Sequence, residues 1–215
     1  MTIKLHVFPL SPRAFKVMWA ANHLGIVFEP VLVDFSKGAH RTPDFVGLNP
    51  NMRMPVLEDD GYALWESNAI LQYLAALKPD SGLLPNDIKT RMQTVKWQFW
   101  DSAHWDPACA IFAFENYVKK LFQRGEPSAS EIARGEEMFA RLAPVLDGEL
   151  QKHRYVAGDT LTLADFSLGA MNYIAEHARF PLEPYRGIQR WAADLKSLPS
   201  WQKTEAEAPG ILQRG

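Results

Sequence analysis

Apolar and polar positions alternate from Ile3 to Val7, with Lys4 and His6 between apolar neighbours, which is the period of a half-buried strand. Phe15, Met18, Trp19 and residues 22–24 then switch to helical spacing, and Gly25 supplies a helix stop. Residues 27–33 form a second β-rich run, and Pro30 inside it restricts that strand to a sheet edge or a bulge. Met54-Pro55-Val56-Leu57 and Tyr62-Ala63-Leu64-Trp65 flank Asp59-Asp60-Gly61, a hairpin pattern with glycine at the turn. Ser67 predicts the cap of a helix running to about Leu77, where Lys78-Pro79 ends it. The order is β, α, β, an irregular stretch, a hairpin and a helix.

Beyond the turn-rich Pro79-Asp80-Ser81-Gly82 the strand signals stop. Met92, Val95, Phe99 and Ala103 share one helical face, and the helix is expected to continue past Pro107 with a kink. A proline inside a helix costs about 3 kcal/mol, so packing has to offset it. Ser128 with Glu131 forms a capping signal for a helix carried by Ile132, Phe139, Leu142, Leu146 and Leu150. Thr162 with Asp165 forms a second one, and shorter helical pieces follow around residues 188–195 and Trp201. An α/β domain over 1–78, a linker over 79–87 and an all-helical domain over 88–215 are therefore predicted.

A chain of 215 residues with 47% hydrophobic and 22% charged positions is not a disordered or low-complexity polypeptide. Its net charge of −2 provides no summed positive field for nucleic acid or an anionic membrane. No apolar run reaches membrane-spanning length. Cys109 is the only cysteine, so neither an internal disulfide nor a thiolate metal cluster can form, and no metal is expected. The first residues lack the basic start and cleavage site of a secretory signal, which points to the cytoplasm.

Three strings carry a family resemblance. They are Asn49-Pro50-Asn51-Met52-Arg53-Met54-Pro55-Val56-Leu57, then Leu64-Trp65-Glu66-Ser67-Asn68-Ala69-Ile70 with Tyr73-Leu74, and Gly158-Asp159 with Thr162-Leu163-Ala164-Asp165-Phe166. Their order and spacing resemble the cytosolic glutathione S-transferase family over nearly the whole chain. Phe8-Pro9-Leu10-Ser11 is similar to its serine-type classes, closest to phi and bacterial members. The resemblance implies a thioredoxin-like N-terminal domain (βαβαββα), an all-α C-terminal domain and a homodimer. It also implies glutathione as co-substrate.

Glutathione has two carboxylates, an ammonium and a thiol, and each needs a partner. The resemblance makes Ser11 the catalytic residue, donating a hydrogen bond to the glutathione sulfur. A free thiol has a pKa near 8.5, and lowering it by ~2 units takes about 2.7 kcal/mol. One charge-assisted hydrogen bond gives roughly 1.5–3 kcal/mol, and the helix start after Pro12 adds to it. Ser67 and the free N–H groups of its helix can hold a carboxylate, and Glu66 can accept from the ammonium. His40 and Arg41 stand where phi-like relatives place a basic pair near the glycyl carboxylate, and Arg53 stands where glutamine is common. Pro55 is expected to be cis, turning the Met54 backbone towards the cysteinyl unit; an ordinary trans proline heading a strand has the same sequence. Three departures from the family pattern are Ala14, where a second hydroxyl is common, Met52, where glycine is, and Met54, where Val or Ile is usual, a milder change because the expected contact uses backbone atoms.

Trp97, Trp100, His104, Trp105, Phe112, Phe114 and Tyr117 crowd the first helix of the second domain, more than one buried stripe holds. Trp105, Phe112 and Tyr117 are the candidates for walls of a hydrophobic-electrophile pocket. The main reading is conjugation of the glutathione thiolate to such an electrophile. Glutathione-dependent peroxide reduction, isomerisation or dehalogenation, and a non-catalytic binding protein, remain open on the sequence. Disulfide exchange is disfavoured, because position 11 is serine and no Cys-x-x-Cys exists.

Overall fold

A computed structural model describes residues 3–213. The chain forms two compact units, one made by residues up to Leu84 together with those from Lys196 onward, the other by Pro85–Leu195.

The first unit is built on a four-stranded sheet of order β2-β1-β3-β4. Along the chain it runs β1 (Ile3–Val7), α1 (Pro12–His23), β2 (Phe28–Leu32), a short 3-10 turn (Ala39–Arg41), α2 (Pro43–Leu48), β3 (Val56–Asp59), β4 (Tyr62–Trp65) and α3 (Ser67–Ala76). That is the expected βαβαββα order. β2 lies parallel to β1 at the sheet edge, where Pro30 costs no ladder hydrogen bond. The hairpin turns on Asp60 (φ 49°) and Gly61 (φ 81°), the paired left-handed conformation that matches strand twist.

The final helix departs from the sequence reading. α11 (Pro199–Leu212) was expected to close the helical domain over 88–215, but it packs on α1 in the first unit. Trp201 is fully buried, edge-on to Phe15 at 4.6 Å and to Trp19 at 4.9 Å between ring centroids. Trp19 Nε1 donates to Ser200 Oγ at 3.1 Å and Asn22 Nδ2 to Thr204 Oγ1 at 3.0 Å. Helical periodicity marks an apolar face but not the partner that covers it.

The second unit begins with a continuous helical run: α4 (Ile88–Trp100), a π-helical turn (Asp101–Trp105), α5 (Asp106–Phe112), a second π turn (Ala113–Val118) and α6 (Lys119–Leu121). Pro107 opens α5 just after the first π turn. That wider turn resets the hydrogen-bond ladder, so the missing proline N–H falls at a helix start. α7 (Ala129–Leu150), α8 (Leu163–Gly169), α9 (Ala175–Ala178) and α10 (Arg186–Lys196) complete it. Ser128 caps α7 through Glu131 N, and Thr162 with Asp165 forms a full capping box on α8, both as predicted. Glu115 ties the two long helices by accepting from Lys119 Nζ at 2.6 Å and from Ser128 N at 2.5 Å. Those bonds, the lysine's first, hold its carboxyl below the usual carboxylate range.

Phe139 centres this unit's core, with Trp105, Phe112 and Phe180 at ring distances of 4.9, 5.9 and 6.2 Å. Trp105 and Phe112 are 3% and 2% exposed. This corrects the sequence reading of both as pocket walls: their rings are used up in the packing of the helical unit itself. Cys109 is fully buried, as expected for a small apolar side chain. No helix among the described residues is long and apolar enough to cross a membrane.

Candidate glutathione site

Strand register brings the predicted residues of the first unit to one end of the sheet. β1 ends at Val7, which pairs with Leu32 at the end of β2. His6 pairs with Val56 at the start of antiparallel β3, and Val56 pairs with Trp65 at the end of β4. Ser11 lies in the connection leaving β1, Met54-Pro55 immediately precedes β3, Glu66-Ser67 immediately follows β4, and His40 lies in the connection leaving β2. Four segments separated in sequence thus meet at a common edge.

Two helices start there, and both are uncapped. Ser11 is the N-cap of α1 with Pro12 next, yet its hydroxyl makes no capping bond. Its backbone is held instead, with Ser11 N donating to Phe8 O at 2.8 Å and Phe15 N to Ser11 O at 2.9 Å. At α3 the N-cap is Glu66, not Ser67 as the sequence suggested, and Glu66 makes no side-chain cap either. Neither helix has an acidic residue in its first turn. By contrast α2, α4, α7 and α8 are capped by Thr42, Asp87, Ser128 and Thr162. A bare helix start presents unpaired N–H donors and partial positive charge, which suits an anion.

Glu66 sits at φ 73°, ψ 110° and is solvent-exposed. An L-residue held there carries of order 1–3 kcal/mol of backbone strain. The twist turns the chain sharply from β4 into α3. It leaves Glu66 outward and Ser67 inward, 9% exposed, as the first helical residue.

The Met54–Pro55 peptide is cis, as the resemblance implied. The Met54 side chain packs on the cluster of Val33, Phe45 and Val56. Among the described residues no hydrogen bond engages the Met54 backbone. The loop before it is pinned by Asn49, 3% exposed, whose Nδ2 donates to Arg53 O at 2.6 Å and whose Oδ1 accepts from Asn51 N at 3.0 Å. Met52 adopts φ 55°, so the left-handed turn expected of glycine forms here with a side chain, at a cost near 1 kcal/mol.

His40 is half-buried and stacks on Phe35 at 4.4 Å and 21° between planes. Its Nδ1 is buried without a hydrogen-bond partner. Burial, and then the neighbouring Arg41 charge, hold the imidazole below its ordinary pKa. Arg41 and Arg53 are exposed, with no carboxylate partner among the described residues. Tyr117, in the helical unit, is the one pocket candidate that borders open space; it lines a cavity of about 570 Å³.

Two positioning residues escaped the sequence reading. Lys16 is 2% exposed, and its Nζ donates to Asn68 Oδ1 at 3.1 Å, joining the helix that starts at Ser11 to the one that starts beside Glu66. A lone lysine in an amphipathic helix reads as solvent-facing, so nothing in the pattern marked it. Asn49 is the other, and the Asn49-Pro50 pair is its signal in the sequence, since an asparagine side chain can bond the turn that it opens.

Comparisons with known proteins agree with this architecture. The family description "Glutathione S-transferase, N-terminal domain" matches residues 1–76, and "Glutathione S-transferase, C-terminal domain" matches residues 99–199. The chain is 33% identical to glutathione S-transferase 3 of Zea mays, covering 96% of this chain and 95% of that one. A glutathione S-transferase structure from Pseudomonas fluorescens superposes with a TM-score of 0.84 at 31% identity, covering 93% and 97% of the two chains. A glutathione transferase structure from Populus trichocarpa gives a TM-score of 0.89 at 26% identity, covering 96% and 99%. Two family matches in register with the two halves, a full-length relative and this shared fold make the chain a member of the glutathione S-transferase family.

Proposed function

We propose that the protein is a glutathione transferase that joins the glutathione thiolate to a small hydrophobic electrophile. The observation that carries this reading is the convergence of two uncapped helix starts on either side of cis-Pro55. In the proposed complex the bare start of α3 and the Ser67 hydroxyl hold one carboxylate, and Glu66 accepts from the ammonium. The Met54 N–H and C=O pair with the cysteinyl unit. His40, Arg41 and Arg53 take the glycyl carboxylate, and Ser11 Oγ donates to the sulfur. The thiolate pair forms the new C–S bond; in substitution the leaving group departs with its bonding electrons, and in conjugate addition a proton completes the adduct. Tyr117 is retained as an aromatic wall for the second substrate.

Retention on immobilised glutathione, followed by turnover of a chloronitrobenzene, tests this reading, and absence of both overturns it. Ser67→Ala is expected to weaken glutathione binding in calorimetry by about tenfold, the loss of one hydrogen bond to a charged group. An unchanged affinity would remove Ser67 from the site.

We extend the reading to a homodimer. Ile88, Met92 and Phe99 lie on one face of α4 and are 64%, 46% and 72% exposed, an apolar stripe that a second copy would cover. Sedimentation velocity should give twice the mass of one chain; a single 24.3 kDa species would contradict it.

A further inference from the structure

Lys16 lies among fully buried apolar neighbours on α1, Phe15, Val17 and Met18, and is itself 2% exposed. Lysine is almost never buried to that degree without a partner. Its Nζ donates to Asn68 Oδ1, a neutral amide, at 3.1 Å. Helical side chains lean towards the N-terminus of their helix, so the ammonium is directed to the end of α1 that Ser11 opens. Asn68 is the second residue of α3. The charge of one helix thus rests against the first turn of another.

That placement runs against the usual electrostatics of a helix start. The unpaired N–H groups there carry partial positive charge, which favours an anion and disfavours a cation. The first turn of α3 holds no acidic residue, and the Glu66 side chain makes no cap. A buried ammonium beside such a turn is a poor arrangement when the turn is empty and a good one when a carboxylate occupies it. The bond to Asn68 has a second consequence. An asparagine in a first turn can fold its carbonyl onto nearby backbone N–H groups and close them off. Lys16 draws that carbonyl towards α1, which leaves the donors of α3 open beside Ser67.

We propose that Lys16 is a positioning residue for the γ-glutamyl carboxylate of glutathione. Through Asn68 it keeps the start of α3 open, and it adds a fixed positive charge that the ligand does not need to touch. This rests on the reading of α3 as the cradle of that carboxylate.

The test is calorimetry with two ligands, glutathione and 4-aminobutyryl-cysteinyl-glycine, the same tripeptide without the γ-glutamyl carboxylate. Lys16→Met fills similar space without the charge. It should weaken glutathione by about tenfold or more and leave the analogue within about threefold. Lys16→Arg keeps a charged donor and should hold glutathione within about threefold of the parent. Asn68→Asp is a second variant that does not empty the buried site: its carboxylate pairs with Lys16 and competes with the ligand for the start of α3. It should melt no lower than the parent and show the same selective loss of glutathione. Unchanged glutathione affinity in Lys16→Met or in Asn68→Asp, or equal weakening of both ligands, overturns the proposal. A parent protein that binds the two ligands alike would instead overturn the placing of the carboxylate on α3, and this inference with it.

Discussion

Ser11→Ala cuts conjugation by about 10- to 100-fold while glutathione affinity stays within a few-fold, as loss of one donor aimed at developing or resident negative charge does. The hydroxyl belongs to the N-cap residue of α1, and no capping bond occupies it. Its backbone is pinned by Phe8 O and Phe15 N, so the oxygen is positioned without being consumed. The contacts proposed for the peptide, carboxylates and ammonium lie on other segments that the substitution leaves untouched, so binding is expected to change little. Steady-state kinetics with varied glutathione separates the two effects: kcat falls and KM barely moves. Unchanged turnover would pass the role to the backbone N–H groups of α1 alone.

Asp165→Ala is expected to destabilise the helical unit by about 4 kcal/mol, or roughly 10 °C in Tm for a chain of this size. The carboxylate is fully buried and takes four donors: Val156 N and Trp191 Nε1 on Oδ1, both at 2.9 Å, and Thr162 N at 2.9 Å and Thr162 Oγ1 at 3.3 Å on Oδ2. Truncation strands three buried N–H groups, each costing about 1–3 kcal/mol. Burial pushes the carboxyl up to about 6, outweighing the four donors that pull it down. Its folded pKa thus exceeds the unfolded value near 3.9, and the folded chain binds the extra proton between them. The stability this group contributes is full below about pH 4 and is lost as pH rises through 6. Denaturant melts across that range should show this slope in the parent and its absence in the variant. A loss under about 1 kcal/mol would mean that water reaches the stranded donors.

Local chemistry was legible in the sequence, and long-range burial was not. Alternation gave β1, the Asp-Gly turn gave the β3–β4 hairpin, Pro30 gave an edge strand, and Thr162 with Asp165 gave the start of α8, because each signal is complete within a few residues. Glu66 shows where this stops. A serine before an apolar helix reads as a cap, but here the chain enters α3 through a strained left-handed residue one position earlier, and no side-chain pattern encodes that. Trp105 and Phe112 were ambiguous for another reason: an aromatic surplus on one helix says that several faces are covered, and Phe139, 27 or more residues away, decides by what. α11 is the same case at larger range, since its Trp201 is matched to Trp19 and Phe15 across most of the chain. Within the site, the motif residues were findable and Lys16 was not, because its burial depends on the start of α3 packing over it.

Ultraviolet titration of glutathione bound to the protein, followed at the thiolate absorbance, tests the central claim most directly. Stabilisation by Ser11 and the open start of α1 predicts a bound thiol about 2 units more acidic than the free value near 8.5, with much of that gain lost in Ser11→Ala. A bound thiol that titrates as it does in buffer would contradict the account.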